Sequence, residues 1–192
     1  MTIEISHDIG QLFGVHDGMP LKLGEKRAAA DFPALDKCVG MEVQGKDGYK
    51  ARLVRLNIAA GLTQAEAECK AFCYSLVVDQ AAPVNDVQLA LLGGAISLKR
   101  VCGVTVPGQK ALVDNDLFWL VFDGPVLWGT LGDDAADIAI GEYVAIDDDA
   151  DTGKLKSLDT TFTAEYTIGV SLDVAAADGD QFRFRPHHPL RG

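Results

Sequence analysis

The sequence predicts a mostly β fold: a compact β-barrel or sandwich with one short α-helix, at about residues 64–76, and an extended N-terminal arm. Three observations lead there. Short apolar runs recur about every ten residues from Val87 onward, split by Gly and Pro signals, which suits a barrel or sandwich rather than a βαβ sheet. A capping box, Thr63-Gln-Ala-Glu66, marks one helix start. The first 32 residues are Gly-rich with weak periodicity, so they read as loops, short edge strands or an arm. With 192 residues, 48% of them hydrophobic, the chain is long enough to bury a core.

The elements follow in order. Residues 1–35 are expected to form the arm. From Asp36, the stretch Lys37–Gly61 reads as a hairpin: a strand, a Gly45-Lys-Asp-Gly48 turn and a second strand. In the expected helix Thr63 caps and Glu66 reaches back, and Ala65, Cys69, Phe72, Cys73 and Leu76 share one face. Strands are then expected at Val87–Ile96, Lys99–Val106, Leu117–Phe122, Ile138–Ile146, Ile168–Leu172 and Gln181–Arg185. The β-rich domain spans residues 36–186, and residues 187–192 form a tail. Two stretches echo one another: Val101-Cys-Gly-Val-Thr-Val106 before Asn115-Asp-Leu-Phe118, and Thr167-Ile-Gly-Val-Ser-Leu172 before Gly179-Asp-Gln-Phe182. Each reads as a strand, a polar linker and a second strand, which suggests two hairpins about a pseudo-symmetric barrel.

Leu117-Phe-Trp-Leu-Val-Phe-Asp-Gly-Pro-Val-Leu-Trp-Gly129 holds both tryptophans. As a strand it places Phe118, Leu120 and Phe122 on one face and Leu117, Trp119 and Val121 on the other. Both faces are apolar. The strand is therefore either central in a barrel beneath a covering segment, or it meets another protein. Core filling is expected for Phe118 and Phe122. Trp119 or Trp128 is the candidate partner anchor, since Trp is over-represented among interface hot spots. Asp123-Gly-Pro125 ends the strand, because Pro cannot donate to a ladder.

Charge narrows the function classes. There are 17 basic and 28 acidic residues, a net charge of −11. Residues 111–180 carry 16 Asp and Glu against Lys154 and Lys156 alone, while Arg183, Arg185 and Arg191 follow. Broad polyanion binding needs clustered Lys and Arg, so no nucleic acid is expected. An acidic part followed by a basic end suits docking to a partner or to a second copy, beside its plainer role as a solubility surface. Apolar runs break within roughly ten residues, against the ~20 of a membrane span, so no membrane partner is expected. The opening MTIEISHDIGQLFG lacks a basic region followed by an apolar run, so no secretory leader is expected.

Chemical motifs are sparse. Cys69-x-x-x-Cys73 with Cys38 and Cys102 departs from paired zinc spacings, and buried thiols in a reduced compartment are the better account. Asp147, Asp149 and Asp151, ahead of Gly153, form an alternating carboxylate loop that suits calcium. The EF-hand pattern fails, however, with Thr152 at position six and Leu158 at position twelve, and such loops also serve as hairpin turns. His7, His16, His187 and His188 lie near the ends, where a general base lacks a rigid setting, and no G-x-S-x-G or phosphate loop occurs. Neither an enzyme nor a cofactor is expected.

Gly103-Val-Thr-Val106, Leu117–Pro125, Ile140-Gly-Glu-Tyr-Val-Ala-Ile146, Ile168-Gly-Val-Ser-Leu172 and Ala175–Arg185 together resemble the C-terminal half of small tailed-bacteriophage structural proteins, the head-decoration or cement proteins. The resemblance covers residues 100–186. It implies a virion structural protein, made in the host cytoplasm, that stabilises the capsid by binding the outer surface of the major capsid protein lattice. A homo-oligomer is implied, a trimer where it sits on lattice three-folds. Candidate partner-binding residues are Trp119, Trp128, Arg183 and Arg185, with Leu12 and Phe13 in the arm. Two alternatives stay open: a calcium- or ligand-binding β-barrel module, and a tail or head-fibre component.

Overall fold

The computed structural model of the chain describes residues 21–45, 48–74, 86–89, 101–132, 137–147, 153–158 and 167–190. Among these residues twelve strands and two short helices alternate along the chain: β1 (Lys26–Ala28), α1 (Pro33–Asp36), β2 (Glu42–Gln44), β3 (Lys50–Leu56), α2 (Gln64–Ala67), β4 (Ala71–Tyr74), β5 (Asp86–Leu89), β6 (Val101–Val104), β7 (Asp116–Asp123), β8 (Leu127–Thr130), β9 (Tyr143–Ile146), β10 (Leu155–Ser157), β11 (Thr167–Ser171) and β12 (Gln181–Pro186). The chain adopts the expected mostly β class, in two sheets. No described helix is long and apolar enough to cross a membrane.

The first sheet closes on itself. β7 pairs with β6, β6 with β4, β4 with β5 and β5 with β3, and β3 returns to β7. The ladders are antiparallel except β3 with β5, where Arg55 lies opposite Asp86. Closure leaves that ring without a free edge. β1 adds to β7 and β2 adds to β3. The second sheet is antiparallel throughout, in the order β10-β9-β11-β12-β8.

Two cores result, and β7 is the wall between them. Phe118 and Leu120 point into the ring with Val54, Leu56, Phe72, Val87 and Cys102. Phe72 and Phe118 meet edge to face at 5.5 Å, the arrangement that ring quadrupoles favour. Leu117, Trp119 and Val121 point outward, against Leu127, Val144, Leu155, Phe182 and Phe184 of the second sheet. A strand covered on both sides needs an unbroken apolar run, and Leu-Phe-Trp-Leu-Val-Phe supplies one. Of the two accounts the sequence allowed for this stretch, a central barrel strand beneath a cover is the one adopted.

Several expectations gain detail. The hairpin after Asp36 forms as β2 and β3, with Gly48 at φ +85°, a left-handed turn position suited to glycine. The capping box is present, with Thr63 N–H and Oγ1 both bonded to Glu66. The helix it starts is shorter than expected. Glu68 is already extended, Cys69 takes φ +53°, and Lys70 N–H bonds to Thr105 Oγ1. Residues 71–74 then pair as β4, because an alternation of two sends Phe72 into the ring and Ala71 and Cys73 into the outer core. Leu76 lies outside the described residues. The echoed stretches do form antiparallel pairs, β6 with β7 and β11 with β12, but in different sheets.

The ends of the described chain are packed. Residues 21–35 of the expected arm carry buried Leu21, Leu23 and Leu35, and Lys26 reaches Asp116 at 2.7 Å. At the expected tail, Leu190 is buried and its N–H donates to Phe122 O at 2.7 Å.

Candidate functional site

Strand β12 alternates cleanly. Phe182 and Phe184 face the core, and Gln181, Arg183 and Arg185 face solvent. Its neighbour β8 sets Trp128 opposite Arg183, and directly opposed residues share a face. Trp128 is half-buried, while Leu127 beside it is in the core. The outer face of this ribbon thus joins an indole to two guanidinium groups. Across the sheet, Arg185 lies opposite Val170 on β11, and Val170 lies opposite Tyr143 on β9. The His187 ring stands 5.6 Å from that of Tyr143. A strip of Trp128, Arg185, Val170 and Tyr143 follows, with an interface-like composition.

The two arginines differ in freedom. Arg183 grips Asp173 with Nε at 2.8 Å and Nη2 at 2.7 Å, and its backbone N–H also donates to Asp173. Those side-chain hydrogen bonds hold the Asp173 carboxyl below its ordinary range and raise the Arg183 guanidinium. The fork is therefore fixed in direction. Arg185 is exposed.

Of the residues expected to bind a partner, the fold brings together Trp128, Arg183 and Arg185. Trp119 is a correction. It is 0% exposed within the outer core and its Nε1–H donates to Leu21 O at 2.8 Å, so it cannot reach a partner surface. Leu12 and Phe13 lie outside the described residues, as do Asp149 and Asp151. Asp147 directly follows β9 and is 1% exposed, its carboxylate packed against the Gly132 backbone. Among the described residues no group of three His, Cys, Asp or Glu could hold a metal ion. Cys69, Cys73 and Cys102 are buried, and Cys38 is half-buried after α1. Burial pushes the Cys69 thiol up to about 12 and also raises that of Cys102.

A cavity of about 530 Å³ opens at the other end of the β8–β12 ribbon. Thr130 and Gln181, which pair there, line it with Glu66, Glu68, Lys70 and Lys154. Lys70 is 5% exposed, and its ammonium is lowered to about 8 by burial first and then by Lys154. Sequence reasoning passed over this residue. Its one signal was a lone cation inside the apolar run Cys69–Tyr74, a position that a helical reading turns toward solvent. The Val170–Tyr143 row was also missed, because strand pairing cannot be read from a single chain segment.

No protein-family model matches the chain, and no curated protein matches it. Among solved structures, the N base of head fiber gp8.5 of bacteriophage phi29 aligns with a TM-score of 0.47 at 13% identity, covering 78% of this chain and 98% of that one.

Proposed function

We propose that the chain is a non-enzymatic structural protein of a tailed-bacteriophage virion, which stabilises the capsid by binding the outer surface of the major capsid protein lattice. The observation that carries this reading is the outward strip on β8 and β12, where half-buried Trp128 stands beside Arg183 and near Arg185. It falls within residues 100–186, the span that resembles decoration proteins. Indole and guanidinium groups are the side chains that dominate docking energetics. The strip is carried on a sheet whose other face is fully packed, so it is presented rigidly. Repetition over a lattice converts modest single contacts into avidity.

The test is to count copies of this chain per particle, relative to the major coat protein, by quantitative mass spectrometry of purified particles. A near-stoichiometric ratio supports decoration. A handful of copies per particle replaces it with a tail or head-fibre role, and absence from particles ends the virion reading. Trp128→Ala with Arg185→Glu should then reduce particle occupancy while the free protein melts normally.

A further inference from the structure

We propose that the cavity between α2, the start of β4 and the β8–β12 ribbon binds a small oxyanion, a carboxylate or a phosphate, with Lys70 as its charged anchor. Three of the charged lining groups are already engaged. Glu66 accepts from Thr63 N–H and Oγ1 at 2.8 and 2.7 Å, so its carboxylate is engaged in the capping box. Glu68 Oε1 accepts from Gly108 N–H at 2.8 Å. Lys154 Nζ is paired with Asp178 at 2.5 Å. That leaves Lys70, 5% exposed, whose backbone N–H and C=O are bonded to Thr105 while its ammonium meets no acceptor among the described residues. Asp178 and Glu66 favour its charged form, but the cost of burial outweighs their help, so an anion in the cavity would stabilise the ammonium further.

The neighbourhood suits an anion in two further ways. Gln181 and Thr130 line the wall, and Gln181 adds an amide donor. The volume falls in the range of small-molecule sites and exceeds what one ordered water needs. The proposal does not depend on any role in a virion.

The test uses the full-length protein with inorganic phosphate, glutarate and chloride at equal ionic strength, read by thermal unfolding. Phosphate or glutarate should raise the melting temperature in a saturable way that chloride does not, and Lys70→Met should abolish the rise while Arg185→Gln keeps it. A rise with phosphate alone identifies a phosphoryl ligand, and a rise with glutarate alone a carboxylate. No rise with either, or an equal rise in Lys70→Met, overturns the proposal. Should Lys70→Met fail to fold, amine acetylation of the unaltered protein, mapped by mass spectrometry, decides the matter. At ten times its Kd the bound anion should slow labelling of Lys70 about tenfold, with Lys22 unaffected. An unchanged Lys70 rate also overturns it.

Discussion

Replacing Trp119 by Phe tests the assignment of the two tryptophans to opposite roles. Trp119 is 0% exposed in the core shared by the two sheets, and its indole N–H satisfies the carbonyl of Leu21, itself 3% exposed. The phenyl ring is smaller by about 40 Å³, and at about 24 cal/mol per Å³ the void costs about 1 kcal/mol. Stranding a buried carbonyl adds about 1–2 kcal/mol. The expected loss is thus about 2–3 kcal/mol, a large share of the stability of an ordinary domain. Trp128→Phe, at a half-buried position, should stay within about 0.5 kcal/mol. Urea unfolding followed by far-ultraviolet circular dichroism measures both at a common m-value. In Trp119→Phe the remaining indole, Trp128, gives a second probe of the same transition. Equal losses, or a larger loss at Trp128, would refute the placement of Trp119 as the core residue and Trp128 as the surface one.

Three other outcomes are expected. Thr105→Val should cost about 2 kcal/mol or more in chemical unfolding, because buried Thr105 Oγ1 both accepts from Lys70 N–H at 2.9 Å and donates to Ala67 O at 2.5 Å. Gly103→Ala should lower stability by about 1–3 kcal/mol, since an added Cβ would sit 2.8 Å from Leu120 Cβ and 3.1 Å from Val121 O. Lys70→Met should melt higher than the natural protein at pH 7. The folded state depresses the Lys70 ammonium from 10.5 to about 8, through burial first and then Lys154, against weaker help from Cys69, Asp178 and Glu66. Folding is therefore opposed by protonation: the penalty is absent above pH 10.5, grows as pH falls from 10.5 to about 8, and is complete below that. The advantage of the variant, about 1–3 kcal/mol at neutral pH, should vanish in melts above pH 10.5. An advantage that persists there would show a packing effect instead.

The parts of the fold that were legible in the sequence are those whose cause is local. The Thr63–Glu66 capping box, the Gly45–Gly48 turn and the two-faced apolar run of β7 each follow from a few adjacent residues. What was lost depended on partners distant in the chain. Residues 69–76 carry apolar spacings that fit a helix and a strand about equally well, and the flanking strands β5 and β6, together with the positive φ of Cys69, decide for the strand. β1 is three residues long and exists because residues 116–118 of β7 run past its pairing with β6 at Val121. The candidate site divides in the same way. Alternation along Gln181–Arg185 marked Arg183 and Arg185 as outward. Which tryptophan was buried depended on a carbonyl 98 residues away in the chain.

The position of β7 has a consequence for how the protein is made. Its partners are β1, some 92 residues earlier at Lys26 and Phe118, then β3, β6 and the C-terminal Leu190, whose N–H bonds to Phe122. On the ribosome, β1, β3, β4 and β5 emerge well before the strand that pairs with β1 and closes the others into a ring. At about 5–20 residues per second that wait lasts roughly 5–20 s. During it the apolar side chains of β3 and β4 have no complete ring to enter, and their edges are open to other chains. The yield of soluble protein should thus depend on translation speed and temperature between codons 26 and 123. Nascent chains stalled just short of residue 116 should bind chaperones, and those stalled far enough beyond residue 123 for β7 to clear the exit tunnel should begin to let go.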